Sequence, residues 1–284
     1  VTDSTTVTRP FTDLTTIEPT GAGTFAATID PMWTIGSKVH GGCLMALCGA
    51  AAHQALGEVA LSPIALGANY LSAPDPGEVR LSTSVRRRGR QVCLVDVELS
   101  QRDRPAVRCT ITLGHLDVDP PRHQETHALT GMAAEPGADA IPVNSESPVG
   151  QIIHVSQGCD LRLDPTASGF LDGKVGPPIT RMWLRPLVTD EVDPDKAALF
   201  AIMAGDISPP VIMQRGFFGW TPTVQLTTYL RRLPSPGWMR VMASSTLLGD
   251  TWFEEDHVIV DAAGHIVAQS RQLALLPKQN WQPE

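Results

Sequence analysis

The chain lacks several features that would decide its class at once. It has no C-x-x-C pair, no H-E-x-x-H and no cluster of Cys and His, so nothing in it asks for a metal. Its five cysteines are an odd number. Cys43 and Cys48 sit in an apparent helix, Cys93 and Cys109 in apparent strands, and packed, reduced thiols in a cytoplasm fit that usage best. No apolar run is long enough to span a membrane. The opening V-T-D-S-T-T-V-T-R-P has no basic start before an apolar core, so no signal peptide is expected. Positive charge is short as well, and a formal net charge of -8 argues against nucleic acid as a partner. G-x-S-x-G is absent, which leaves a serine-esterase route without support.

What is present centres on V-H-G-G-C-L-M-A-L-C-G-A-A-A-H-Q-A-L, from Val39 to Leu56. Leu44, Leu47, Cys48, Ala51, Ala52 and Ala55 fall at helical spacing and make one apolar face of small side chains. His40-Gly41-Gly42 opens this helix. Glycines there leave the first amides uncovered, and the positive end of the helix dipole suits an oxyanion or a polarised carbonyl.

The rest reads around that helix. Residues 1–24 are Thr-rich and predict an extended leader, followed by a strand over Phe25–Ile29. After the helix, strands are predicted over Pro63–Ser72, Glu78–Arg87, Gln91–Gln101 and through Val107, Cys109, Ile111 and Leu113, with turns at Pro74-Asp75-Pro76-Gly77, Arg88-Gly89-Arg90 and Asp103-Arg104-Pro105. One helix against one antiparallel sheet is an α+β layout. From Pro120 to Val149 periodicity vanishes and Pro, Gly, Glu, Ala and Asn dominate, as in a linker. Beyond it come a strand at Ile179–Leu187, a helix at Asp195–Asp206 ended by Pro209-Pro210, and strands at Thr223–Leu230, Trp238–Leu247, Thr251–Val260 and Ile266–Leu275.

The second half repeats the first. Tyr70 matches Tyr229 at a separation of 229 − 70 = 159, and Pro76 matches Pro236 at 236 − 76 = 160. Gly89 and Gly249, Asp96 and Asp256, and Val107 and Val267 keep the separation of 160. Two like domains are implied, whose edge strands can pair into one longer sheet.

A helix wrapped by an antiparallel sheet, present twice, resembles the double hotdog of the type II acyl-CoA thioesterases and their thioesterase-like relatives. The likeness rests on His40-Gly41-Gly42, on W-F-E-E-D-H (Trp252 to His257) and on V-A-Q-S-R-Q-L-A-L (Val267 to Leu275), and spans about residues 20–278. It divides the chain into an N-terminal hotdog over 1–119, a linker over 120–149 and a C-terminal hotdog over 150–284. The resemblance implies a cytoplasmic enzyme that hydrolyses fatty acyl-CoA to fatty acid and coenzyme A. No metal or organic cofactor is implied, coenzyme A being part of the substrate, and a homodimer or higher homo-oligomer is expected by analogy.

In the family, an Asp, a Thr or Ser, and a Gln of the second domain hold the attacking water. By register these positions fall on Gln225, Thr246 and Gln272. Gln225 departs from the pattern, because a carboxamide cannot take a proton from water. Another carboxylate then acts as base, or turnover is slow, or the protein is a binding or regulatory module without hydrolysis. Asp206, at the end of the second helix, lines up with an Asp often seen in the family. Substrate binding is expected at His40, Gly41 and Gly42, the carbonyl being polarised by the amide of Gly42 or by a counterpart near Asp195. Arg86 and Arg88, in the densest basic run of the chain, are expected to hold the coenzyme A phosphates. The acyl chain would lie along the apolar helix face. A hotdog hydratase would need an Asp and a His sharing a water; Asp30 and His40 are its candidates, but their flanking residues do not match.

Overall fold

A computed structural model of the chain describes residues 8–57, 60–190 and 192–277. Of the expected leader, residues 1–7 lie outside the described residues, as do both outer ends of the domain division and the last residue of the likeness. The remainder of the leader is extended only in its second part. Helix α1 (Pro10–Leu14) is followed by strand β1 (Glu18–Gly21). The buried carboxylate of Asp190, from the second half, accepts from the amides of Phe11 (2.6 Å) and Thr12 (2.8 Å) and so holds the first turn of α1. Phe11 then packs edge-on against Trp33 at 6.0 Å and Phe200 at 4.9 Å, one aromatic from each half.

The first half continues with β2 (Thr24–Ile29), the two-residue ladder of β3 (Thr34–Ile35) and β4 (Lys38–Val39), helix α2 (Gly41–Leu56), and strands β5 (Ser62–Tyr70), β6 (Gly77–Arg88), β7 (Val92–Gln101) and β8 (Arg104–Gly114). The second half has β9 (Ile141–Val143), β10 (Cys159–Leu163), β11 (Ile179–Pro186), helix α3 (Pro194–Met203) with a tight turn over Ala204–Asp206, and strands β12 (Thr223–Leu230), β13 (Met239–Ser244), β14 (Trp252–Val260) and β15 (Ile266–Leu275). β7 and β14 begin at Val92 and Trp252, a separation of 252 − 92 = 160 that bears out the internal repeat. The helices do not copy each other: α2 has 16 residues and α3 has 10.

Thirteen strands make one sheet in the order β1-β2-β6-β7-β8-β5-β12-β15-β14-β13-β11-β10-β9. The halves join where β5 and β12 pair antiparallel, from Gln225 opposite Asn69 to Tyr229 opposite Ala65. Each half-sheet thereby covers an edge the other would expose. α2 packs on α3 and on β5 to β8, and the two helices share one hydrophobic core with both half-sheets. This is the expected double hotdog.

Within residues 120–149, the part from Leu129 to Ala140 is pinned to the outer face of the second half-sheet. Leu129, Met132 and Ala140 pack with Trp183, Trp238 and Val260. The buried Arg240 guanidinium donates to the carbonyls of Leu129 (3.3 Å) and Met132 (2.8 Å), and Trp183 Nε1 donates to Ala133 O (2.9 Å). One stretch, Pro194–Arg215, is long and apolar enough by composition to cross a bilayer, contrary to the sequence expectation; here it is mostly buried and broken into α3 and shorter turns, as a core segment is.

Candidate active site

The two helices pack antiparallel at the centre, so that the start of α2 meets the end of α3. His40, Gly41 and Gly42 at the start of α2 face Met203–Asp206 at the end of α3. A Cβ on Gly41 would lie 2.6 Å from Asp206 Oδ2, and one on Gly42 would lie 2.5 Å from Met203 O. Only glycine lets these backbones approach so closely. The Gly42 amide is therefore not left open: its N–H donates to the Asp206 carboxylate. This corrects the expectation of a vacant donor at Gly42. Its counterpart at the start of α3 is also capped, by Asp193 Oδ1 accepting from Lys196 N at 2.8 Å.

His40 is buried, and its Nε2 donates to Asp206 O (2.8 Å) while lying 3.6 Å from Asp206 Oδ2. In the neutral ring that leaves Nδ1 as acceptor for the Cys43 thiol at 3.5 Å, and burial pushes that thiol well up, keeping it protonated. Tyr70 Oη donates to Gly41 O (2.9 Å). Burial raises the Asp206 carboxyl above the usual range, while the His40 ring and the Gly42 amide oppose the rise.

The inner face of the second half-sheet faces this junction with two polar rows. In one, register aligns Thr228, Ser270 and His257 across β12, β15 and β14; in the next it aligns Leu226, Gln272 and Glu255. Ser270 Oγ donates to Gly205 O at 2.5 Å, which ties the turn carrying Asp206 to the strand carrying Gln272. Gln272 is held at both ends of its amide: Oε1 accepts from Thr223 Oγ1 (2.7 Å) and Nε2 donates to Glu255 Oε2 (3.1 Å). Ser208 Oγ lies 2.8 Å from both Glu255 Oε1 and His257 Nε2. Thr223, Gln272, Glu255, Ser208 and His257 thus form one hydrogen-bonded chain. Burial, opposed by hydrogen bonds from Ser208, Gln272 and Val211 N–H, raises the Glu255 carboxyl to about 8, the charge of Asp206 adding to the rise. Burial and His40 lower the His257 ring to about 3, so it is neutral.

The three residues expected to hold the water are not brought together. Gln272 is inside, but Gln225 faces outward on β12 opposite the exposed Asn69, and Thr246 is exposed in the turn after β13, where its amide donates to Glu254 Oε1 (3.1 Å). Thr223 instead brings a hydroxyl to Gln272. A bulge between Thr223 and Gln225 inserts Val224 and turns Thr223 to the inner face, while Gln225, Thr227 and Tyr229 keep the outer alternation. Glu255 and His257 are missing from the sequence expectation; the signal for them is that they share with Phe253 and Ile259 the alternate positions of the buried face. Of the two arginines, Arg86 pairs with Asp96 (Nε to Oδ2, 2.6 Å) and Arg88 Nη1 donates to Leu56 O (3.0 Å). On the apolar face of α2, Leu44, Leu47, Cys48, Ala51 and Ala52 are buried in the core and Ala55 is half-buried. An open groove of about 900 Å³, lined by Phe217, Trp220, Pro222, Thr251, Leu275 and Pro277, begins one residue from Thr223. No group of three or more acidic, His or Cys side chains with metal-binding geometry occurs among the described residues.

Comparisons with known proteins agree on this architecture. The acyl-CoA thioesterase N-terminal domain matches residues 29–114 and the acyl-CoA thioesterase C-terminal domain matches residues 130–276. An uncharacterised protein of Mycobacterium tuberculosis is 41% identical over 273 residues, which span 90% of this chain and 91% of that one. Among solved structures, a candidate thioesterase II from Thermobifida fusca superposes with a TM-score of 0.82 at 27% identity, over 94% of this chain and 97% of that one. An acyl-CoA thioesterase II from Mycobacterium marinum superposes with a TM-score of 0.70 at 15% identity, over 96% and 99% of the two chains, a likeness of fold.

Proposed function

The chain belongs to the acyl-CoA thioesterase family, and from that premise we propose that it hydrolyses acyl-CoA at the buried cluster around Asp206 and Gln272. The observation that carries this reading is Asp206 itself. It supplies, from the end of α3, the carboxylate that Gln225 cannot. The reading in which the protein binds without hydrolysing rested on a missing base, and it loses that support.

Thioester hydrolysis needs a polarised carbonyl, a positioned water and departure of a thiolate. Thiolates leave easily, so an activated water suffices as nucleophile. Asp206, its proton affinity raised by burial, takes a proton from that water as the oxygen attacks the carbonyl carbon. Gln272 Nε2 carries a second hydrogen that meets no acceptor among the described residues, and it donates to the carbonyl oxygen as negative charge develops there. Thr223 Oγ1 donates to the other end of the amide and holds the side chain in place. The C–S bond then breaks, the sulfur takes the proton from Asp206, and free acid and coenzyme A leave. The acyl chain lies in the apolar groove beside Pro222.

The test is release of free thiol from a panel of acyl-CoAs. Asp206→Asn is expected to lower kcat by 10²–10⁴-fold, the usual contribution of a general base, with its melting temperature retained. Unchanged turnover by that variant would remove Asp206 from the mechanism.

A further inference from the structure

We propose that Glu255 is a positioning residue that sets the Gln272 amide through the Gln272 Nε2 to Glu255 Oε2 hydrogen bond. This rests on the hydrolase reading above and deepens it. Left to itself, a carboxamide at the end of a Gln side chain can rotate about its last bond and exchange donor for acceptor. Here both ends of the amide are engaged. Thr223 Oγ1, at 2.7 Å, reaches Gln272 Oε1, and Glu255 Oε2 accepts at 3.1 Å. A threonine hydroxyl both donates and accepts, so Thr223 alone would tolerate either orientation. A carboxyl oxygen with no proton on it only accepts, which leaves Glu255 as the partner that discriminates.

Glu255 is itself fully buried and fixed. Its Oε1 meets Ser208 Oγ at 2.8 Å, Ser208 meets His257 Nε2 at 2.8 Å, and Val211 N–H donates to the carboxyl. In the neutral arrangement Glu255 Oε1 donates its proton to Ser208, and Ser208 donates onward to the His257 Nε2 lone pair. Oε2, the carbonyl oxygen, then stays free to accept from Gln272. The titratable groups around it are Asp206 from the end of α3, His40 from the start of α2, which acts on His257, and His257 on its own strand, with Tyr70 beyond Asp206. Ionisation of Glu255 would add a second buried negative charge beside Asp206 and near a developing oxyanion, which opposes the reaction.

The experiment compares wild type, Glu255→Gln and Glu255→Leu in steady-state thiol release from acyl-CoA between pH 5 and pH 9. Glu255→Gln can still accept from Gln272 and donate to Ser208, so at pH 7 its kcat is expected within about threefold of wild type. Above pH 8 wild type is expected to slow while Glu255→Gln does not. Glu255→Leu cannot accept and is expected to lose at least tenfold in kcat with KM within about threefold, the mark of an effect confined to the transition state. A Glu255→Leu enzyme as fast as wild type, or a Glu255→Gln profile that superimposes on wild type up to pH 9, would overturn the inference. If Glu255→Leu does not fold, the profile of Glu255→Gln decides alone. Failure of the hydrolase reading looks different: wild type would then release no thiol, or Asp206→Asn would match it.

Discussion

At the residue scale the site depends on atoms that are absent. Gly41 and Gly42 have no Cβ, and that space is filled by the Asp206 carboxylate and the Met203 carbonyl. The sequence motif was read as an open helix end awaiting a ligand; the chain fills that end with its own carboxylate. The same shift applies to the other assigned positions. Thr223 and Glu255 flank Gln272, whereas Gln225 and Thr246 face solvent. Thiol-release kinetics of single variants separate the two assignments. Gln272→Ala is expected to lose at least tenfold in kcat, as a transition-state donor does, while Gln225→Ala and Thr246→Val stay within about twofold, as outward polar side chains do. Large losses in the latter two would restore the site expected from sequence.

At the element scale, strands and their turns were legible and the small departures from regularity were not. β12 and β15 were placed at their observed bounds because apolar alternation and turn residues agree there. The bulge in β12 leaves no such mark: by plain alternation Thr223 shares the outward face of Gln225, Thr227 and Tyr229, so its inward turn is not legible. Family register, not alternation, puts Gln225 in the site, and only Gln272, on an unbulged part of its strand, keeps its place. The leader failed for a related reason. Pro10–Leu14 is too short to show helical periodicity, and its stability comes from Asp190, far away in sequence. Asp190→Ala leaves two amides without their acceptor and is expected to cost about 2–3 kcal/mol. Hydrogen exchange should show residues 11–14 losing protection first; a uniform loss across the chain would mean that Asp190 supports more than α1.

At the scale of the whole molecule, burial of Glu255 and His257 inside a shared core makes stability depend on pH in both directions. Glu255 titrates near 4.5 when unfolded and at about 8 when folded. The stability its neutral form allows is complete below 4.5 and is lost as pH rises toward 8, because the folded chain then holds a proton that the unfolded chain has released. Burial raises Asp206 too, so it acts in the same direction. His257 runs the other way: it titrates near 6.5 unfolded and at about 3 folded, so stability is present above 6.5 and lost as pH falls toward 3. Between 4.5 and 6.5 the His257 slope opposes those of Glu255 and Asp206, so stability changes less steeply there than above 6.5, where His257 no longer offsets the fall. Each proton contributes a slope of up to about 1.4 kcal/mol per pH unit. Urea melts from pH 4 to pH 9 should trace that shape, with Glu255→Gln flattening most of the fall above pH 6.5 and His257→Asn flattening the fall below 4.5. If Glu255→Gln keeps the full alkaline decline, the carboxyl is not buried as a neutral acid, and the hydrogen-bonded chain from Thr223 to His257 does not carry the proton arrangement assigned to it.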